Sequence, residues 1–352
     1  MSASNLLAIL IAVVFAGCGG KVGDGASNTD GTVAGGYTTA GGATSTGGTT
    51  ITGGTRAVGG TTITGGTTST GGTAIPGGAA GADCDGGRES KVDVNGIELR
   101  VAKLITVANP NGSSTYQIDA TEVTRGQYED WLATNPPLPP SSDADCGWKS
   151  AGSFTQDSSC MTSSSVCQGA DCDDHPVVCV DWCAAYYYCA AVGKRLCGRI
   201  GGGANRSIGD ENSASQWTCA CSSGGVNTYP YGNTYQERYC NGFDYWGDLN
   251  GTTMPVAMLS KCQTSRSGYC AVYDLSGNVY EWEDSCYDTI HLDLSGNAIK
   301  GSPACYVRGG AFDSYGMSGY SGIFSEGMKC REGGADRRAA TEPDVGFRCC
   351  SP

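Results

Sequence analysis

Cysteine is distributed very unevenly along this chain of 352 residues. Of the twenty cysteines, one lies at position 18 and the other nineteen lie between Cys84 and Cys350. A chain so rich in cysteine folds around disulfides in an oxidising compartment and around metal ions in a reducing one. If the chain is exported, the nineteen cysteines predict a disulfide framework, and their odd number leaves one outside any set of internal pairs.

The first eighteen residues indicate export. The apolar run from Leu6 to Phe15 is too short to span a bilayer and is followed by small residues, as in a signal peptide. Its end, Val14 to Cys18, resembles the lipobox of bacterial lipoproteins, in which the cysteine becomes the lipidated first residue. No Lys or Arg occurs in residues 1–5, so an ordinary cleaved signal is the alternative. We predict lipidation at Cys18 and a lipid anchor in the cell envelope, at the outer membrane or the cell surface.

Residues 19–84 consist mainly of Gly, Thr, Ala and Ser, and the hexapeptide TTITGG at Thr49 recurs at Thr61. Such a composition cannot bury enough apolar surface to offset chain entropy, so we predict a disordered linker. A glycine-rich coil of about 65 residues has an r.m.s. span of about 45 Å, which would hold the following domain away from the membrane. The irregular spacing of the Gly-Gly pairs argues against a glycine-repeat β-solenoid.

The charge of the chain limits its partners. The formal net charge is −13 and the pI is about 4.5, with no local run of Lys or Arg. Phosphate backbones and anionic lipid headgroups are repelled by such a chain. We therefore expect no nucleic-acid partner.

Residues 92–352 have the mixed composition of a folded domain, and three segments carry helix signals. Thr124 and Gln127 have capping-box spacing ahead of one apolar face, and Asp181 can cap a second helix that Gly193 closes. A third helix is expected near 213–221. The remaining segments are rich in aromatic residues and broken by glycine. The pattern predicts an α+β domain with little regular secondary structure, held together by cross-links and ions.

Six phrases occur in order along this domain. Together they resemble the formylglycine-generating enzyme (sulfatase-modifying factor) family, and the resemblance implies its compact, strand-poor, calcium-stabilised fold, which is related to the C-type lectin fold. The phrases are YQIDATEVTRGQY (Tyr116–Tyr128), HPVVCVDWCAAYYYCAAVGKRL (His175–Leu196), YPYGN (Tyr229–Asn233), LSGNVYEW (Leu275–Trp282), VRGG (Val307–Gly310) and GFRC (Gly346–Cys349).

The resemblance also implies two structural disulfides, Cys189 with Cys349 and Cys221 with Cys330. The other cysteines depart from the family pattern, and their pairing cannot be read from the sequence. Short-loop pairs are open suggestions, namely Cys262 with Cys270 and Cys286 with Cys305.

Structural calcium is the cofactor that the resemblance implies. Calcium takes six to eight hard oxygen ligands, and turns that direct carboxylates and carbonyls inward can supply them. The alternative is that these acids face solvent or cap turns. One implied site comprises the side chains of Asp274 and Glu281 with the carbonyls of Gly277 and Val279. The other comprises Asn241 and Asp248 with the carbonyls of Gly242 and Asn250.

The catalytic centre of active family members is a pair of cysteines, five residues apart after Arg-Gly-Gly, that binds copper. Soft thiolates are the ligands that Cu(I) prefers. Counted forward from Gly310, the two positions are Ser314 and Gly319. Counted backward from Cys330, they are Tyr320 and Ser325. Neither register provides a cysteine, so we assign no catalytic residue and expect no copper.

Two neighbours of that centre have also changed. The serine that follows Arg-Gly-Gly in the family is Ala311, and the first tryptophan of the Asn-Val-Trp-Glu-Trp phrase is Tyr280. Cys330 could be invoked as a replacement nucleophile, but it matches half of a family disulfide. The sequence therefore predicts a non-catalytic binding or structural module whose ligand is a glycan or a protein. Its candidate groove is the former catalytic groove around Tyr280, Trp282, Arg308 and Phe312.

Two enzymatic alternatives stay open at this point. One is a formylglycine-generating oxidoreductase that converts a protein cysteine to formylglycine with copper and dioxygen through an unfamiliar set of thiols. The other is a different enzyme on the same fold. A related branch of the family binds iron through histidines from an additional helical domain, whereas this chain has no such domain and only His175 and His291.

Overall fold

A computed structural model describes residues 87–110, 114–205, 214–247, 250–288, 290–292, 298–300, 303–314 and 326–352. These residues belong to one folded unit. The predicted signal peptide and linker lie outside the described residues, and so do Cys18, Asp248, Gly319, Tyr320 and Ser325. Secondary structure within the described ranges is made of short pieces, since the longest helix has ten residues and the longest strand has eight.

The helices are α1 (Arg125–Leu132), α2 (Trp182–Ala191), α3 (Gln216–Cys221) and α4 (Phe243–Trp246). The strands are β1 (Glu89–Val94), β2 (Ile97–Ala102), β3 (Leu104–Ala108), β4 (Thr115–Asp119), β5 (Arg195–Leu196), β6 (Tyr280–Tyr287), β7 (Ile290–Leu292), β8 (Ala298–Lys300), β9 (Ala304–Arg308), β10 (Gly333–Arg337), β11 (Val345–Phe347) and β12 (Cys349–Ser351).

The three predicted helices are present, and their caps explain where they begin. Thr124 and Gln127 form the complete capping box at the start of α1. The Asp181 carboxylate accepts a hydrogen bond from the amide of Ala184 at the start of α2. Helix α3 begins later than expected, because the Ser215 hydroxyl caps it. The four-residue α4 was not predicted, since one turn is too short to show a helical period.

The strands form two four-stranded sheets and two hairpins. One sheet has the order β10-β9-β6-β11, in which β11 pairs with β6 in parallel and the other neighbours are antiparallel. The second has the order β3-β4-β12-β5 and is antiparallel. The hairpins are β1-β2 and β7-β8. The first described strand begins at Glu89, slightly before residue 92.

The last strands of the chain join the two large sheets. β11 lies in one sheet and β12 in the other, with only Arg348 between them. Successive residues of a strand point to opposite faces. Cys349 accordingly bonds to Cys189 in α2, whereas Cys350 bonds to Cys197 after β5. The C-terminus is therefore tied to elements more than 150 residues earlier in the chain.

An aromatic cluster fills the space between α1, α2 and β11. The Tyr188 ring lies 5.5 Å from the rings of both Trp131 and Phe347, measured between centroids. Tyr128 stacks on Tyr188 at 5.7 Å and donates its hydroxyl to the carbonyl of Phe154. Aromatic pairs in this range add to the stabilisation that burial provides. Most of the aromatic residues of α1 and α2 thus form core, although Tyr186 of α2 is 37% exposed.

Eight disulfides join pairs of described cysteines. Two of them are the pairs that the family resemblance implies, Cys189–Cys349 and Cys221–Cys330. The suggested Cys286–Cys305 pair is also present, but Cys262–Cys270 is wrong, because Cys240 reaches Cys262 from a loop that packs beside it. Cys270 is disulfide-bonded as well. The others are Cys146–Cys183, Cys160–Cys179, Cys167–Cys172 and Cys197–Cys350.

This framework indicates an oxidising, extracellular type of environment, because disulfides persist there and are rare in reducing compartments. No helix within the described ranges combines the length and the apolarity that crossing a membrane requires.

Candidate functional site

Two tight turns meet at the centre of the domain. The first follows Leu275 and the second follows β9. In the first, Gly277 has φ +77°, and a Cβ there would lie 2.3 Å from the carbonyl oxygen of Asn241. In the second, Gly310 has φ +73°, and a Cβ would lie 2.5 Å from the carbonyl oxygen of Gly327. Only glycine fits both the backbone angle and the space at these positions.

Hydrogen bonds hold the two turns against each other. The amide of Gly277 donates to the carbonyl of Gly309 at 2.8 Å, and the amide of Phe312 donates to the carbonyl of Asn278 at 3.1 Å. The position of the segment after Arg-Gly-Gly is therefore fixed by the Leu-Ser-Gly-Asn turn.

Ser314 is the first of the two positions predicted for the family's cysteine pair when the count runs forward from Gly310. Its hydroxyl lies 2.9 Å from the Tyr280 hydroxyl and accepts a hydrogen bond of 2.7 Å from the amide of Ala311. The side chain is buried. Ser314 thus closes its own turn and anchors the Tyr280 ring beside it.

A cavity of about 320 Å³ opens next to Tyr280, between β6, β10 and the loop before β11. We call it the Tyr280 cavity. No cysteine is among its described lining residues. Four carboxylates line it, those of Glu332, Asp336, Glu342 and Asp344. The volume is within the range of ordinary small-ligand sites, and the lining makes the cavity strongly acidic.

Asp344 has the most perturbed carboxyl group of this lining. Burial first, and then the charge of Asp313, raise the pKa of Asp344 to about 7. Burial also raises the pKa of Asp313. The pKa of Glu342 is raised by burial and by the charge of Asp336. Desolvation and repulsion between like charges both disfavour the ionised form. A cationic group entering the cavity would relieve this repulsion.

The groove predicted from the sequence needs correction. Of its four residues, only Tyr280 lines the cavity, because the other three are at most 2% exposed. Trp282 lies on the same face of β6 as Tyr280 but is buried in the core, where its indole donates to the carbonyl of Val180. Arg308 is paired with the buried Glu283, with its Nε 2.9 Å from the carboxylate, and Phe312 packs in the interior.

The four acidic lining residues were missed in the sequence. No motif marks them. The single signal in the sequence was the group of four acidic residues between Glu332 and Asp344, which is interrupted by Arg337 and Arg338. They come together because β10 and β11 are the two edge strands of the sheet that contains Tyr280.

The predicted calcium ligand Glu281 is engaged by other partners. Its two carboxylate oxygens accept hydrogen bonds of 2.6 and 2.7 Å from the guanidinium of Arg348 and one of 2.9 Å from the Trp217 indole. Arg348 thereby balances the charge of Glu281 without a metal. Asp274 accepts a hydrogen bond from the amide of Ala257.

Negative charge is nevertheless in excess around Arg348. Glu122, Asp274 and Glu281 are three buried carboxylates near this one guanidinium, and Oε2 of Glu122 has no hydrogen-bond partner among the described residues. An additional cation fits this charge balance. Within the described ranges, however, no three His, Cys, Asp or Glu side chains converge as a metal site, so a calcium ion here would depend on carbonyls such as those of Gly277 and Val279.

The second predicted calcium site is described only in part, because Asp248 lies outside the described residues. Asn241 accepts a hydrogen bond of 2.7 Å from the Trp246 indole, and its amide nitrogen donates to Asn278. The carbonyl of Gly242 accepts from the amide of Tyr245, and Asn250 lies at the far end of the same loop. Calcium at both sites stays a prediction.

The fold and its two central turns define a domain of the sulfatase-modifying-factor type. The chain matches the family described as "Sulfatase-modifying factor enzyme 1-like domain" over residues 62–351, and it belongs to this family. The match begins inside the segment that composition predicts to be a linker.

Two curated relatives are proteins of Chlamydia. The chain is 28% identical over 185 residues to "Serine/threonine-protein kinase Pkn1" of Chlamydia trachomatis serovar L2, and 27% identical over 183 residues to the protein of that name from Chlamydia caviae. Each match covers 50% of this chain and 24% of the relative. The chain thus spans about a quarter of the length of the curated relatives that it matches.

Three solved structures are similar at low sequence identity. "Crystal Structure of CarF" and "Treponema denticola variable protein 1" each have 18% identity and a TM-score of 0.39, with 75% of this chain covered and 95% and 98% of theirs. PvdO from Pseudomonas aeruginosa has 17% identity and a TM-score of 0.40, with 72% of this chain covered and 94% of its own.

Chelation tests the calcium prediction. EDTA is expected to lower the melting temperature of the wild-type chain, because it would remove a cation that balances buried carboxylates. In the Asp274→Asn variant the same treatment should have a smaller effect, since one predicted ligand is gone. The surface variant Asp130→Asn, measured in parallel by thermal melting, should respond to EDTA as the wild type does. Identical melting curves with and without EDTA would contradict the prediction.

Proposed function

We propose that this chain is an exported lipoprotein whose sulfatase-modifying-factor domain is non-catalytic and binds a ligand at the Tyr280 cavity. The observation that carries the proposal is the side chain at position 314. A serine hydroxyl cannot supply the soft thiolate that Cu(I) needs. The hydroxyl of Ser314 is instead used within the fold, in hydrogen bonds with Tyr280 and Ala311.

The remaining positions of the family's cysteine pair are consistent with this proposal. Gly319, Tyr320 and Ser325 lie outside the described residues, and none of them is a cysteine. Nearby, Cys330 is bonded to Cys221, which argues against its use as a replacement nucleophile.

The acidic lining suggests the kind of ligand. Four carboxylates in one cavity favour a group with positive charge and disfavour acidic ligands. A protein ligand that presents a lysine side chain fits this requirement, and so does a glycan that contains an amino sugar. We favour a protein ligand, because a lysine side chain is long enough to place its ammonium group among the carboxylates of the lining.

An activity assay tests the non-catalytic part of the proposal. The purified full chain, incubated with copper, oxygen and a peptide that contains Cys-x-Pro-x-Arg, is expected to produce no aldehyde, because no thiolate pair is available. Mass spectrometry of the peptide detects conversion of the cysteine to formylglycine. An active family member assayed in parallel is the positive control. Turnover by this chain would overturn the proposal.

A binding titration tests the ligand class. Tetralysine peptide should bind several-fold more tightly at pH 8 than at pH 5.5, because Asp344, with its pKa of about 7, is ionised only at the higher pH. The Asp344→Asn variant should lose most of this pH dependence. The matched variant Glu129→Gln removes an exposed carboxylate of α1 and should behave like the wild type. Equal affinity at both pH values, measured by calorimetry, would argue against the cavity as the binding site.

Labelling tests the anchor. When cells that express the chain are grown with radioactive palmitate, the protein is expected to carry the label. The Cys18→Ser variant should lose both the label and its association with membranes. Gly19→Ala is the control and should retain both. Label that persists in Cys18→Ser would contradict lipidation at this residue.

A further inference from the structure

A second cavity, of about 380 Å³, shares no lining residue with the Tyr280 cavity, although its Arg337 directly follows Asp336 of that cavity. One wall is formed by Ala144, Asp145 and Trp148. The other is formed by Pro303, at the start of β9, and by the residues from Arg337 to Ala339 at the end of β10. We call it the Trp148 cavity.

Trp148 is the most exposed of the six tryptophans of the chain. Its side chain is 52% exposed, whereas Trp131, Trp182, Trp217 and Trp282 are each at most 2% exposed. The Lys149 ammonium lies 5.4 Å from the centroid of its ring. A large flat ring beside a cavity offers a stacking surface for a ligand, and its burial on binding would be favourable.

The segment that carries Trp148 is held in place. It forms a short 3₁₀-helix, Gly147–Ala151, that directly follows the Cys146–Cys183 disulfide. The Asp143 carboxylate accepts hydrogen bonds from the amide of Cys146 and from the Tyr187 hydroxyl. Lys149, whose side chain is the buried one in this helix, is paired with Asp181. The indole is therefore presented by a rigid wall, which lowers the entropy cost of binding.

The opposite wall supplies two guanidinium groups. Arg338 is 9% exposed, stacks over the Trp182 ring at 5.0 Å and donates to the carbonyl of Asp145 at 2.9 Å. Arg337 is exposed at the cavity rim. Arg338 also pairs with the Asp145 carboxylate at 3.1 Å, so the net formal charge of +1 on the lining comes from Arg337, in a chain whose net charge is −13. The planar guanidinium matches carboxylate geometry better than any other side chain.

A ligand for this cavity needs both an apolar face and a negative charge. A pyranose ring has a face of C–H groups that can stack on an indole, and a hexuronate adds a carboxylate at its edge. We propose that the Trp148 cavity binds the carboxylate-bearing sugar units of an acidic polysaccharide, with the sugar ring on Trp148 and the carboxylate on Arg337.

This site is independent of the function proposed for the Tyr280 cavity, whose lining is acidic and would repel such a ligand. Two sites of opposite charge on one domain could hold a basic partner and an acidic polysaccharide at the same time.

Titration of the purified full chain with tetragalacturonate, followed by calorimetry, tests the proposal. Binding is expected in the wild type, with an affinity that falls as salt is raised. Trp148→Ala and Arg337→Gln should each weaken it at least tenfold. Both side chains are exposed, so their replacement leaves the core intact, whereas Arg338 is not used because it is packed on Trp182.

Two control variants remove similar side chains elsewhere. Met258→Ala deletes an exposed apolar side chain, and Arg125→Gln removes a guanidinium from the surface of α1. Both should bind tetragalacturonate like the wild type. Absence of binding, or binding that Trp148→Ala and Arg337→Gln leave unchanged, would overturn the proposal. Equal binding of neutral cellotetraose would overturn the requirement for a carboxylate.

Discussion

The buried pair of Arg348 and Glu281 is the interaction on which the domain depends. The guanidinium binds the carboxylate in a bidentate manner and also donates to the carbonyls of Asp119 and Tyr273, so one side chain connects both large sheets and the loop between them. Loss of one partner of such a buried pair typically costs about 3–5 kcal/mol, because the other charge is left without compensation. The adjacent Cys349 and Cys350 fix the same segment covalently to Cys189 and Cys197.

This arrangement also places the Tyr280 cavity. Glu281 is held by Arg348, and its neighbour Tyr280 on the same strand therefore has a fixed position on the opposite face. The amide of Tyr280 donates to the carbonyl of Asp344, which brings the acidic loop beside the ring. Position 314, the first of the two positions counted forward from Gly310, holds a serine whose hydroxyl stabilises its own turn.

Much of the local structure could be predicted from the sequence. Capping residues such as Thr124 and Asp181 act on backbone amides three residues away, so the helix starts follow from short-range chemistry. Side-chain direction was harder to predict. Trp282 was expected in the groove but lies in the core. It shares a face of β6 with Tyr280, and strand alternation does not show which residue of a shared face is covered by packing. The Cys240–Cys262 bond was missed for a similar reason, since loop packing decides which cysteines meet.

By itself, the sequence determined the family, the presence of a disulfide framework, three helices and the absence of a cysteine at the positions expected for the catalytic pair. These follow from residue identity and from spacings of a few residues, which the chain fixes covalently. Only the tertiary structure decided that Glu332, Asp336, Glu342 and Asp344 surround Tyr280, and that Trp148 and Arg337 lie at one cavity. These sets are assembled across strands and loops distant in sequence, and their contacts depend on sheet order and on burial, which no local pattern encodes.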